Sequence, residues 1–283
     1  MAVSGGAFND RYLYLNGLKL HLLEWGSPAA STVLLLHGYG NCAATWTALA
    51  ESISGEYHVL APDFRGHGDS QWDDAGHYGL RYHVADITAL INVLEINELA
   101  VIGHSMGGQV ALAYTAAGPS KVSRVACIDI GPEFSLRSEA RLKEISSLRR
   151  DEYDSLDEVI DYLEIVDPYA GRELLRGEAA DLTRKNSEGR FVWKHHYRLA
   201  KCVSPGRRVN AAGRWETVRS IKCPALIIRG ERSDLLDADV ARRMTEAMDW
   251  AELIEIAGAG HYVHRDQPRL FAEAVRRFLK QSE

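Results

Sequence analysis

The sequence predicts an α/β fold. It has a mostly parallel central sheet of about eight strands, helices on both faces, and a helical cap inserted between two core strands. Three observations predict it. Short apolar runs, "TVLLLHG", "YHVLAPD", "LAVIGHS", "RVACIDI", "PALIIRG" and "AELIEIAG", recur along the chain. They are apolar at successive positions, as strands covered on both faces must be. Helix-period patterns separate most of them, and alternating strands and helices imply parallel strands joined by crossovers. Between about 132 and 220 that rhythm stops and charged helical patterns take over.

Taken in order, residues 11–25 alternate apolar and polar around Asn16-Gly17. That dipeptide suits a two-residue turn needing positive φ at both positions, so an antiparallel hairpin opens the sheet. "TVLLLHG" follows, then helical periodicity over 43–53, "YHVLAPD", and a helix over 81–96 with Val84, Ile87, Leu90, Ile91 and Leu94 on one face. "LAVIGHS" runs directly into a helix over 106–117, and "RVACIDI" ends the first block. In the interval, "LRSEARLKEISSLRRDEY" and "SLDEVIDYLEIV" repeat apolar residues at three and four, ahead of a less regular stretch from Gly189 to Trp215. "PALIIRG", a helix over 237–248, "AELIEIAG" and a helix over 268–280 complete the chain. The expected organisation is a core in two parts, 1–131 and 221–283, around a cap at 132–220.

At 283 residues, one domain with a sizeable insertion fits better than two independent ones. The net charge of −6 is spread without blocks of like charge, which argues against nucleic acid or an anionic membrane as partner. No apolar stretch approaches the ~20 residues of a membrane span. The N-terminus lacks a basic region followed by an apolar one, so a cytoplasmic protein is expected. Cys42, Cys127, Cys202 and Cys223 are far apart, without the close pairs of a metal site, and read as free thiols.

The chemistry is concentrated in "LAVIGHSMGG", residues 99–108. Gly103-His104-Ser105-Met106-Gly107 matches G-x-S-x-G between a strand and a helix. A serine on so tight a turn is exposed above the sheet, and glycines two residues either side let neighbouring backbone pass. The Met106 N–H, at a helix N-terminus, then faces any oxyanion formed on Ser105. A second oxyanion donor is expected from the loop after an earlier strand, where His37-Gly38 places the Tyr39 N–H; His37 itself reads as structural. A nucleophilic serine needs a base that works near neutral pH. His261, in the turn after the final strand, lies on the same edge of the sheet as Ser105, in the chain order that G-x-S-x-G expects. His104 should point away from the nucleophile. His67 reads as a loop brace, His195 and His196 as surface residues of the cap, and His264 as structural or exposed. Asp63 and Arg65 read as a structural pair.

"HGYG", "DFRGHGDS", "GHSMGG" and "GAGH", in this order, resemble the α/β-hydrolase fold family lidded by a cap. The resemblance spans roughly residues 10–281 and is weakest in the cap. Serine at 105, and Tyr39-Gly40 after "HG", set the chain apart from epoxide hydrolases and haloalkane dehalogenases, which use an aspartate nucleophile. In this fold the usual triad acid stands three residues beyond a glycine after the strand that follows the cap. Ser233 holds that place here, with Asp234 one step on. "CIDIGPE" with "RGERSDLL" and "GAGHYVHRDQP" is similar to a subgroup of small esterases and the acetamidomethylene-succinate hydrolase, whose acid ends the strand before the cap. That implies Asp129, with Asp234 as the alternative; as rival roles, Asp129 caps a turn and Asp234 caps the helix near 237–248.

The resemblance implies a serine hydrolase cleaving a carboxylic ester, thioester or related acyl bond of a small-molecule substrate through an acyl-enzyme. It implies no metal or organic cofactor. The alternatives on the same site are a carbon–carbon hydrolase, a perhydrolase, a lyase, or a ligand receptor with a slow triad. Phe134, Trp193, Tyr197 and Trp215 are the aromatic candidates for the substrate pocket, and equally for holding the cap to the core. Lys194, Arg198, Arg207 and Arg208 are basic candidates for an acidic substrate, or plain solvated surface.

Overall fold

A computed structural model describes residues 8–118, 121–199 and 211–281. The strands of the main sheet are β1 (Asn9–Leu15), β2 (Leu18–Trp25), β3 (Thr32–Leu36), β4 (His58–Pro62), β5 (Leu99–His104) and β6 (Val122–Ile128) before the insertion. Two more follow it. The helices of this first part are α1 (Thr47–Ile53), α2 (Leu80–Val93) and α3 (Met106–Ala116). Asn16 and Gly17 take φ of 51° and 80°, as the hairpin reading requires, and β1 pairs antiparallel with β2 from Asn9 opposite Glu24 to Leu15 opposite Leu18.

The insertion carries α4 (Leu136–Leu148), α5 (Leu156–Val166), α6 (Arg172–Leu182) and α7 (Ala211–Arg219). Ser135 and Ser155 cap α4 and α5 by accepting the Ser138 and Glu158 amides, satisfying donors that helix starts leave open. The expectation of a purely helical insertion needs correction: β7 (Glu152–Tyr153), β8 (Thr183–Lys185) and β9 (Phe191–Trp193) form a small antiparallel sheet. Strands of two or three residues are too short to show a period. The insertion has its own apolar centre, in which Val159, Ile160 and Leu163 of α5 meet Leu175 and Ala179 of α6 beneath Trp193.

The chain returns to the main sheet with β10 (Ala225–Gly230), α8 (Ala238–Glu246), β11 (Ala251–Ile256), the short α9 (Val263–Asp266) and α10 (Pro268–Lys280). The eight strands lie in the order β1-β2-β4-β3-β5-β6-β10-β11. From β4 to β11 every neighbouring pair is parallel, while β2 joins β4 antiparallel.

Side chains alternate across the sheet, so successive residues of each strand feed different layers. Leu34, Leu36, Val101 and Ile227 pack against α2, α3 and α8, and Leu35, Ile102, Ile128 and Ile228 against α1 and α10. Helix α10 shows how one element is held. Pro268 opens it, where the missing N–H costs nothing, and Phe271, Val275 and Phe278 recur on its buried face. Each buried phenylalanine contributes roughly 1.5–3 kcal/mol, so Phe271→Ala alone is enough to loosen the helix. Cys42, Cys127 and Cys223 are free thiols, and Cys202 lies outside the described residues. Among the described residues no helix is long and apolar enough to cross a membrane.

Candidate active site

The strand-to-helix turn after β5 forces Ser105 into an unusual backbone conformation, φ 52° and ψ −119°. A non-glycine residue there is strained and persists only where its surroundings hold it. The flanking glycines are what permit it. A Cβ on Gly103 would strike the Gly107 carbonyl, and one on Gly107 would strike the Leu36 carbonyl. Helix α3 begins at Met106, whose N–H is among the first-turn amides that find no acceptor inside a helix.

The loop after β3 lies directly against this turn. A Cβ on Gly38 would sit 3.3 Å from the Ser105 Cβ and 2.9 Å from His104 Nδ1, so only glycine fits without a shift. His37 Nδ1 donates to the Gly38 carbonyl at 2.8 Å, and Asn41 N–H donates to the same oxygen at 3.2 Å. A trans peptide points its C=O and N–H in opposite directions, so fixing that carbonyl also aims the Tyr39 N–H. His37 Nε2 in turn accepts the Phe64 amide at 3.0 Å, and burial holds the ring below its ordinary pKa. His37 is therefore a neutral, fully engaged brace, as its sequence position suggested.

His261 and Asp129 come together across the end of the sheet. His261 Nδ1 lies 2.8 Å from Asp129 Oδ2 and, as the donor, directs Nε2 away from the carboxylate. Asp129 follows β6 with φ 50°, the second strained non-glycine position at this edge. It is fully buried, and such a carboxylate must be compensated by hydrogen bonds. Oδ1 accepts the Gly230 N–H at 3.0 Å, and Oδ2 accepts the Ser233 hydroxyl at 2.5 Å as well as His261. Ser233 Oγ itself accepts the Leu235 and Leu236 amides at 3.2 and 3.0 Å. A Cβ on Gly230 would hit the Gly260 carbonyl, so that glycine lets the His261 turn close over β10.

Two supports of this arrangement had no separate sign in the sequence. Ser233 occupies the place where the usual acid stands and instead holds Asp129. His104 Nε2 donates to the His261 carbonyl at 3.0 Å, with the two rings 4.6 Å apart. Burial keeps His104 well below its ordinary pKa, hence neutral, which suits a ring with one engaged nitrogen. His104 does point away from the Ser105 hydroxyl, but toward the backbone of the candidate base. The strained turn at Ser105 follows from its motif, whereas only coordinates reveal the positive φ at Asp129.

Asp234 is not brought to His261. It pairs with Arg141 Nε at 2.8 Å, and Asp237 rather than Asp234 precedes α8. Both roles considered for it are thus displaced. Asp63 and Arg65 do not pair with each other either. Arg65 forks onto both oxygens of Asp86 at 2.6 and 2.7 Å. Asp63 accepts the Ala43 and Asp69 amides at 2.6 and 2.8 Å and His21 Nδ1 at 2.7 Å. His21, Asp63 and Asp69 are the one metal-like grouping among the described residues, and these contacts occupy Asp63 as a brace.

The aromatic candidates separate. Trp193 is buried in the insertion and donates to the Arg150 carbonyl at 2.8 Å; its ring lies 5.5 Å from His195, which lies 5.6 Å from Tyr39. Tyr197 is exposed. Trp215 is buried and donates to Glu133 at 2.9 Å, while Phe134 packs against the core beneath Arg214. His195 and His196, expected at the surface, are both buried, and His195 packs over Gly40. His67 and His264 are buried as well, with His264 Nε2 and Thr45 Oγ1 3.0 Å apart. Lys194 pairs with Asp69 at 3.0 Å, Arg198 donates to the Asp74 carbonyl, and Arg207 and Arg208 lie outside the described residues.

The model of the alpha/beta hydrolase family matches residues 33–274. The chain is 27% identical over 250 residues to a 3-hydroxybutyrate-oligomer hydrolase of Cupriavidus necator, spanning 84% of this chain and 85% of that one. It is 28% identical over 263 residues to an esterase of Mycobacterium tuberculosis, spanning 91% and 85% respectively. The solved structure of E-2-(acetamidomethylene)succinate hydrolase superposes with a TM-score of 0.88 over 97% of this chain and 100% of that one; at 24% identity this is a likeness of fold. With its eight-stranded sheet, its strained serine turn and these matches, the chain belongs to the alpha/beta hydrolase family and is a hydrolase.

Proposed function

We propose that the protein hydrolyses a carboxylic ester or thioester of a small molecule through an acyl-enzyme on Ser105. The observation that carries this reading is the Asp129–His261 contact of 2.8 Å at the same sheet edge as the strained Ser105 turn. In this scheme His261 Nε2 takes the Ser105 proton as the hydroxyl attacks the carbonyl carbon. Asp129 holds the tautomer with its proton on Nδ1 and stabilises the imidazolium that forms. The Tyr39 and Met106 amides receive the oxyanion, a contribution worth roughly 3–4 kcal/mol per donor in enzymes that use one. Collapse of the tetrahedral intermediate expels the alcohol or thiol, which takes its proton from His261. Water, activated by the same ring, then attacks the acyl-enzyme and releases the acid.

The test is the initial rate of p-nitrophenyl acetate and butyrate hydrolysis by wild type, Ser105→Ala, Asp129→Asn and Asp234→Asn, with folding checked for each. Ser105→Ala should abolish turnover. Asp129→Asn should lower kcat by about 10⁴, because the amide favours the wrong imidazole tautomer. Asp234→Asn should leave kcat unchanged, its loss confined to a half-exposed ion pair worth at most about 1 kcal/mol. The opposite pattern for the two aspartates would return the acid to the position after the insertion. Absence of any burst or trapped acyl-serine, with turnover of a carbon–carbon substrate, would favour the carbon–carbon hydrolase reading.

A further inference from the structure

On the outer side of α3 a shallow groove of about 30 Å³, partly open to solvent, lies between α2, α3 and α7. Leu80, Leu112, Ala113 and Val218 make its walls apolar, and Gln109 and Arg214 are its principal polar side chains. It begins one helical turn beyond Ser105, since the Gln109 N–H donates to the Ser105 carbonyl, and neither Ser105 nor His261 lines it.

Arg214 is the unusual feature. Its side chain is half-buried, and no carboxylate, carbonyl or hydroxyl is bonded to it among the described residues. It lies over the Phe134 ring, 5.9 Å from its centre. Burial pushes its pKa down, and no neighbouring charge among the described residues acts in the other direction. The two most deeply buried arginines of the ion pairs, by contrast, each have a carboxylate, Arg65 with Asp86 and Arg265 with Glu178. An unpaired guanidinium against an apolar wall is costly, and stability alone would favour an uncharged side chain there. The cost is offset if an anion arrives with a ligand. A planar guanidinium matches a carboxylate through two parallel hydrogen bonds. The apolar walls require that the rest of such a ligand be hydrocarbon.

We propose that this groove binds an aliphatic carboxylate, with its head group on Arg214 and its chain along Leu80, Leu112, Ala113 and Val218. The Gln109 carboxamide stands ready as a second donor to the head group. The site is separate from the proposed hydrolytic centre, and its existence does not depend on that chemistry.

Isothermal titration of the full chain with sodium octanoate tests it, beside octanol as the uncharged counterpart. Saturable octanoate binding is expected, at least about tenfold tighter than octanol, and about tenfold weaker in Arg214→Gln, as the loss of a charge-assisted contact implies. Leu80→Ala should weaken octanoate while leaving acetate unaffected. Arg214→Met should lose the ligand and yet raise Tm by about 2–4 °C, because the uncompensated charge is gone. The proposal is overturned if octanoate does not saturate, if it binds no tighter than octanol, or if Arg214→Gln leaves its affinity unchanged. It is equally overturned if octanoate competes with ester substrate in wild type and Arg214→Gln alike, which would put the acid beside Ser105.

Discussion

Replacing Ser233 with alanine removes one oxygen from a fully buried position and disturbs three hydrogen bonds at once. The hydroxyl donates to Asp129 Oδ2 at 2.5 Å and accepts the Leu235 and Leu236 amides at 3.2 and 3.0 Å. A hydrogen bond to a charged acceptor contributes roughly 1.5–3 kcal/mol, and the two amides lose a buried acceptor in addition. The chain that enters α8 has some freedom to relax, so a net loss of roughly 2–3 kcal/mol is expected. At a few degrees per kcal/mol for a domain of this size, Tm should fall by about 5–10 °C. Catalysis should suffer in a particular way. Asp129 keeps the Gly230 amide on Oδ1, but Oδ2 retains His261 alone and the carboxylate is free to turn. Because Ser233 is argued to act only through Asp129, kcat should drop by about 10–100-fold with KM nearly unchanged. Differential scanning fluorimetry and steady-state kinetics on p-nitrophenyl butyrate read both effects. A variant with wild-type Tm and kcat, or one in which KM moves and kcat does not, would refute the reasoning.

Three further outcomes follow from the same geometry. Gly38→Ala places a Cβ 2.9 Å from His104 Nδ1 and should displace the Tyr39 amide, lowering kcat by about 10²–10³ while the protein stays folded; unchanged kinetics would remove the loop from the site. Asp129→Asn combined with Ser233→Asp moves the acid to the neighbouring position that also reaches this cluster, and should recover part of the activity lost in Asp129→Asn; no recovery would mean that Ser233 does not face His261. The third outcome concerns pH. Burial, then the proximity of Asp167, pushes the Asp266 carboxyl up to about 8, and burial raises Glu178 to about 7. The folded state therefore holds protons that the unfolded chain releases at about pH 4, so this stability is complete below that pH and is lost as pH rises through 7 and 8. Tm should decline between pH 5 and 9, and Asp266→Asn, which mimics the protonated form, should flatten the decline. A parallel pH profile in the variant would show that the cluster does not titrate this way.

That proton-holding cluster joins Asp167 and Glu178 of the insertion to Arg265 and Asp266, immediately after His261. None of it was legible in the sequence. Each of the four residues reads alone as ordinary surface charge, and the end of α5 and the middle of α6 meet α9 only in the folded chain. The same limit explains His195 and His196. A histidine pair amid basic residues reads as solvated, and it is buried because β9 turns it down onto the core loops.

What the sequence determined by itself is what short-range physics controls. Runs of apolar residues on successive positions could only be two-sided strands, Asn16-Gly17 could only be a tight turn, and G-x-S-x-G between a strand and a helix specified the Ser105 turn and the Met106 amide beside it. Chain order placed His261 at the right edge of the sheet. What only the tertiary structure decided is which carboxylate reaches that histidine. Asp129 and Asp234 each follow a strand at the same end of the sheet, but Asp129 reaches His261 whereas Asp234 turns to Arg141. The choice rests on a backbone with φ of 50° at Asp129, on a serine hydroxyl just after β10 and on the Gly230 amide, the last two more than a hundred residues further along the chain. Composition and periodicity report local preference, whereas the hydrogen bonds that orient a buried charge belong to the packed whole.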